Sequence, residues 1–253
     1  MSGKRQRIVS LAPSVTSILY ALGAKDQLVG VSKWCRDVAP VAGKPRVGDC
    51  WRLDTAEVMR LKPTLLIGSV PFAPEAVQKI LTEPVPFLAL NPRSLADIDS
   101  DIRILARIAN CVHEGEKVIA RMQRGFDKIT RDAARANRGR QLRVYCEAWP
   151  NPRISSPPWV AELVALAGGH FVTSPGKRIA DADVVRARPD LIVLAWAATG
   201  DRANPARTLA TPAFRKIPAV RNRRVVVIRD ELLNTPGPPL IEGARAILRA
   251  IRC

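Results

Sequence analysis

The chain is poor in cysteine, histidine and aromatic residues, and it has no long apolar run. Its five cysteines, Cys35, Cys50, Cys111, Cys146 and Cys253, are few for 253 residues and odd in number. None shows Cys-x-x-Cys spacing, which argues against a disulfide scaffold or a structural zinc site and mildly favours a reducing compartment. Two histidines, His113 and His170, have no metal-ligand companion at a useful spacing and are expected to be structural or solvated. No stretch of ~18 apolar residues is present, so no membrane span is expected. The motifs G-x-S-x-G, H-E-x-x-H, Walker A and G-x-G-x-x-G are all missing. With no acid–base constellation and no cofactor motif, the chain is expected not to be an enzyme and to carry no cofactor of its own.

What is abundant is positive charge. The net charge is +17 and the pI near 10.7. Arginine outnumbers lysine, and the excess is spread along the whole chain rather than gathered into a nucleic-acid motif. Only Arg221-Asn222-Arg223-Arg224 forms a tight cluster, and a strand follows it directly, so no nucleic-acid partner is expected. The first residues, Met-Ser-Gly-Lys-Arg-Gln-Arg, resemble the basic start of a signal peptide. Pro13 interrupts the short apolar run that follows, so no hydrophobic region completes the signal. The compartment is left open between cytoplasmic and exported after loss of a leader.

Apolar runs alternate with helical patterns, which implies α/β lobes with mainly parallel sheets covered on both faces. Strands are expected at Arg7–Leu11, Leu28–Val31, Thr64–Ile67, Pro86–Leu90, Leu142–Cys146, Leu191–Ala195 and Val225–Ile228. Ser14 is placed to cap a helix over Ser14–Leu22. Further helices are expected at Thr55–Leu61, Pro74–Leu81, Trp159–Ala167, Arg207–Lys216 and Pro239–Ile251. Between Arg93 and Trp149 there is no proline, and Ile102, Leu105, Ala109, Val112, Ile119, Met122, Phe126, Ile129 and Ala133 recur at helical spacing. That predicts one helix of roughly forty residues, about 60 Å long, able to join two lobes. The alternative is two helices broken near Gly115. The expected organisation is an N-terminal lobe over 1–93, a linking helix over 94–140 and a C-terminal lobe over 141–253.

The five tryptophans are the clearest functional signal. Trp34, Trp51 and Trp196 follow strands or extended runs, and Trp149 follows Val144-Tyr145-Cys146. In parallel α/β sheets the loops past the carboxyl ends of the strands form the ligand crevice. Indoles there suit a large, flat, partly apolar ligand better than a sugar, a lone anion or a bare metal ion. Each single tryptophan also has a plain packing role open to it. Trp159 is expected to take that role, covering its lobe at the start of a helix.

The opening Arg7-Ile8-Val9-Ser10-Leu11-Ala12-Pro13-Ser14-Val15-Thr16, with Ala21-Leu22-Gly23-Ala24 and Leu28-Val29-Gly30-Val31, resembles periplasmic binding proteins for cobalamin and ferric siderophores. Similar stretches run from Val47-Gly48 to Leu61-Lys62-Pro63, over Ala187–Ile192, and at Pro236-Gly237-Pro238. The resemblance spans roughly residues 7–251. It implies two α/β lobes joined by one long backbone helix, with solute held in the cleft between them. Glu147-Ala148-Trp149, Trp159–Leu163 and Ala167-Gly168-Gly169 look like the cobalamin-binding subgroup. The ligand-facing candidates are therefore Ser14, Trp34, Cys35, Trp51, Glu147, Trp149 and Trp196, and the bound ligand is expected to be cobalamin or a related corrinoid.

The resemblance also implies docking on an ABC-transporter permease through one glutamate per lobe. Here Ala56 and Ala182 stand at those positions, with Glu57 and Asp183 one residue later. A shift of one residue turns a side chain ~100° round a helix, which puts the usual docking in doubt. The protein is expected to be a monomer. A ferric siderophore or haem ligand would instead call on Arg36, Arg52 and Arg153 to hold anionic oxygens. A cytoplasmic cofactor-modifying enzyme or metal-cofactor chaperone would call on Cys35.

Overall fold

The apolar runs form the central strands of two sheets, the first parallel throughout and the second mainly parallel. The computed structural model describes residues 5–136 and 141–253, so the basic start at Met1–Lys4 and the end of the expected linker at 137–140 lie outside it. The chain divides into two compact units. One is made of residues up to Pro92 and Ala96–Arg121, the other of Arg93–Leu95 and Met122–Cys253.

The first unit runs through β1 (Ile8–Ser10), α1 (Pro13–Ala21), β2 (Leu28–Ser32), β3 (Arg46–Val47), α2 (Thr55–Arg60), β4 (Leu65–Ser69), α3 (Pro74–Leu81), β5 (Phe87–Leu90) and α4 (Leu95–Ile108), whose first residue is counted in the second unit. Its sheet has the order β3-β2-β1-β4-β5 and every pairing is parallel. Ile8, Val9, Leu66 and Ile67 are fully buried, as expected of strands covered on both faces.

Helix α5 (Val112–Ala136) supplies residues to both units. The second unit continues through β6 (Arg143–Pro150), β7 (Arg153–Ser155), α6 (Pro158–Leu166), β8 (His170–Phe171), α7 (Asp181–Ala187), β9 (Leu191–Leu194), α8 (Pro205–Leu209), α9 (Pro218–Arg221), β10 (Val225–Val227) and α10 (Leu240–Arg252). Its sheet has the order β10-β9-β6-β7. Strand β8 pairs in parallel with the start of β6, and β7 pairs antiparallel with its end. Strand β6 thus runs two residues or more past the buried core before it turns back at Asn151-Pro152.

Four expectations change. The segment expected as one helix is two, α4 and α5, and the break is at Asn110, not Gly115. Asn110 adopts φ 57°, and Ala109 and Asn110 close the end of α4 through hydrogen bonds to Leu105 and Arg107 carbonyls. Asparagine tolerates this left-handed conformation and ends helices for that reason. Gly115 lies inside α5, where its missing side chain matters: a Cβ there would stand 2.6 Å from the Ala106 Cβ of α4. Ser14 does not cap α1; Ala12 is the N-cap and Pro13 the first helical residue. Arg207–Lys216 is not one helix, because Pro212 ends α8 and opens a short 3-10 turn.

Candidate functional site

In the first unit the loop after β3 is organised by a residue that the sequence reading passed over, Asp49. Its carboxylate accepts from the Trp34 Nε1 at 2.9 Å and from the backbone N–H groups of Trp51 and Arg52 at 2.9 and 3.0 Å. The Asp49 amide in turn donates to the Arg52 carbonyl, and a Cβ on Gly48 would meet that carbonyl at 2.0 Å. Only glycine admits the turn. An aspartate bonding the backbone two residues on is ordinary turn chemistry, and Gly48-Asp49 was the available signal. One carboxylate therefore fixes Trp34, which is half-buried, and the backbone of Trp51, whose side chain is 63% exposed. An indole left that far in solvent contributes nothing to the core of its own unit.

Ser14 is buried at the start of α1, and its carbonyl accepts from the Ser17 hydroxyl. Cys35 is fully buried in the same unit. The Cys35 sulfur accepts from the Thr16 hydroxyl at 3.0 Å and lies 3.3 Å from the Ser32 oxygen. Burial pushes its thiol up, against the lowering effect of the Ser32 and Thr16 hydrogen bonds. Burial likewise pushes Cys50 up to about 12. Both are neutral thiols in the interior, not the thiolates that attack or ligate.

The second unit holds a buried polar knot on β6. Glu147 has no exposed surface. Its Oε1 accepts from Trp196 Nε1 at 2.8 Å; its Oε2 accepts from the Tyr145 hydroxyl at 2.7 Å and from the Arg153 guanidinium. Tyr145 and Glu147 are two apart on one strand and so share a face. Arg153 reaches onward to Asp181 at 2.9 Å and stacks over the Phe214 ring at 4.7 Å. Burial first, and the Glu147 carboxylate second, push the Tyr145 phenol up, so it remains a donor. Both carboxylate oxygens hold partners within the unit, so Glu147 is the hub of this knot, and it also lines the cavity beside it. Trp196, only 7% exposed, belongs to the same knot and to the core around Phe214 and Ile192.

Trp149 differs from both. It lies within β6 rather than after it, is 40% exposed, and donates its N–H to the Asn151 carbonyl at 2.9 Å. Trp159 is buried and donates to the Leu233 carbonyl, in the packing role expected for it. Beside the knot is a cavity of about 570 Å³, whose lining includes Asn151, Arg153, Trp196 and two exposed arginines, Arg178 and Arg207. Nothing in the sequence singled out those two among so many arginines. The Asp230 carboxylate accepts from the Ala198 and Gly200 amides.

At the positions expected for permease docking, Ala56 and Ala182 are both exposed. Glu57 is exposed and 3.9 Å from Arg60. The Asp183 carboxylate accepts from the Ala180 amide at the start of α7. Among the described residues no helix is long and apolar enough to cross a membrane, and no group of three or more acidic, histidine or cysteine side chains could hold a metal ion.

The profile of a family described as periplasmic binding protein matches residues 8–232. A vitamin B12-binding protein of Pectobacterium carotovorum subsp. carotovorum is 24% identical over 250 residues, covering 96% of this chain and 87% of its own. An uncharacterized ABC transporter substrate-binding lipoprotein of Bacillus subtilis is 24% identical over 258 residues, covering 97% and 80%. A periplasmic heme binding protein from Pseudomonas aeruginosa superposes with a TM-score of 0.84 at 23% identity, over 98% of this chain and 92% of its own.

Proposed function

The chain belongs to the periplasmic binding protein family, and from that premise we propose that it binds cobalamin or a related corrinoid for ABC-type uptake. The family consists of solute-binding proteins, whose partners are a small-molecule ligand and a transporter permease. The observation that carries the corrinoid reading is the exposure of Trp51 in the first unit and of Trp149 in the second. Rigid indole faces in solvent suit a broad, partly apolar ring system. The B12-binding relative supports the same ligand class. Trp34, Trp51 and Trp149 are the contacts in this reading, while Ser14 and Cys35 are buried within the first unit and Glu147 and Trp196 within the second. The corrinoid is cargo and not a cofactor, and no side chain is assigned a catalytic role.

A second reading has one observation of its own. Arg178 and Arg207 line the 570 Å³ cavity, and guanidinium groups match carboxylates in geometry and charge. That favours haem or a ferric siderophore. Arg153, one of the three arginines the sequence offered for this role with Arg36 and Arg52, is already held by Glu147 and Asp181.

A thermal-shift competition among cyanocobalamin, haemin and a ferric catecholate separates these readings, since a ligand that binds only the folded state raises the midpoint with its occupancy. The corrinoid reading predicts the largest rise with cyanocobalamin. A larger rise with haemin or the catecholate moves the assignment to the second reading. No rise with any of the three removes both.

A further inference from the structure

The second half of α5 carries a row of cations. Arg124, Lys128, Arg131 and Arg135 follow one another at spacings of four, three and four, and all four are exposed. At ~100° per residue they fall within an arc of about 60°, spread along about 17 Å of helix. Met122, Phe126, Ile129 and Ala133 are the buried face of the same segment. Their mean direction is about 160° away, so the cations point almost straight out from the core.

The two acids of this segment flank the row rather than interrupt it. Asp132 lies on one side, 2.8 Å from Lys128 and 4.0 Å from Arg135. Asp127 lies on the other. Arg124 and Arg131 pair with no carboxylate among the described residues. Arg252 of α10 joins the same surface, donating to the Asp132 carbonyl. Five cations against two acids, with two arginines uncommitted, is a stronger field than an ordinary solvated helix face presents.

We infer that this face of α5 docks on an anionic phospholipid surface. A flat layer of headgroup phosphates offers partners to every cation of a straight row at once, and each basic residue near such a surface contributes to binding. Duplex or single-stranded nucleic acid is the competing polyanion. No aromatic or amide side chain stands in the row to stack on a base or read its edge, which favours the lipid. The attraction is independent of the solute the protein binds.

The test is co-sedimentation of the full chain with vesicles that are about one-third phosphatidylglycerol in phosphatidylcholine, compared with phosphatidylcholine alone, at low and at physiological salt. The expected result is preference for the anionic vesicles that weakens with salt. The variant R124Q/K128Q/R131Q/R135Q should bind them at least about tenfold less. K79Q/R215Q/K216Q/R221Q, which removes equal charge from exposed positions elsewhere, should lose less than about threefold. If the first variant misfolds, R124Q/R131Q disturbs no ion pair and should still show a loss of about fivefold. Equal losses in the α5 and control variants would mean that net charge alone is at work and would overturn the inference. No preference for phosphatidylglycerol, or tighter binding to duplex DNA than to the vesicles, would overturn it as well.

Discussion

Glu147 is a carboxylate with no exposed surface, tied to Tyr145, Arg153 and Trp196. Taking such a charge out of water costs several kcal/mol, and Arg153 offsets it only while the pair is intact. Glu147→Ala should therefore destabilise the protein by about 3–5 kcal/mol, read as a lower urea midpoint at unchanged slope. The double replacement Glu147→Leu with Arg153→Met should recover part of that loss, because no buried charge is left unpaired while the Tyr145 and Trp196 donors lose their acceptor. The sequence placed Glu147 just past an expected strand and offered it as a ligand-facing residue. It could not show burial, since Trp196 is 49 residues away and Arg153 lies across a hairpin. Tyr145 two positions earlier was the one local hint. Trp51 and Trp34 were legible as loop indoles, but the Asp49 carboxylate that fixes them was not.

At the scale of elements, α4 and α5 show where periodicity stops informing. The apolar spacing from Ile102 to Ala133 gave helix correctly on both sides of Asn110, yet spacing cannot register a single left-handed residue. Gly115 looked like a weak point and is a contact point instead. In an exposed helix Gly→Ala stabilises by roughly 1 kcal/mol. Here the new methyl meets the Ala106 methyl, which has no rotamer to yield. Gly115→Ala should thus be net destabilising by about 1–3 kcal/mol, measured by chemical denaturation. Asp101, on α4, tests the electrostatics of the same helix. Burial, and then neighbouring Asp97, push its carboxyl up to about 6. The folded state then holds the proton more tightly than the unfolded chain, whose aspartates titrate near ~4. Stability is favoured below that value and falls as pH rises from about 4 to about 6, then levels. Asp101→Asn should be more stable than the parent at pH 7, by on the order of 1 kcal/mol once solvent screening of this half-buried group is allowed for. The advantage should vanish near pH 4; an advantage that is constant with pH would rule out this cause.

Across the whole molecule, the two mainly parallel sheets were legible because strands buried on both faces are continuous apolar runs, as at Leu191–Leu194. The short strands β3, β7 and β8 were not, since two or three residues carry no readable period. Family membership rests on residues 8–232, and with it the expectation of a small-molecule solute. The proposed corrinoid ligand rests instead on the exposed indoles of Trp51 and Trp149. Calorimetric titration of cyanocobalamin into the parent protein, Trp51→Ala and Trp149→Ala tests that dependence most directly. The account predicts saturable one-to-one binding by the parent. Each variant should bind more weakly by about 1–3 kcal/mol, with its melting temperature little changed because these indoles lie outside the core. No saturable heat with the parent protein, or undiminished affinity in both variants, would contradict it.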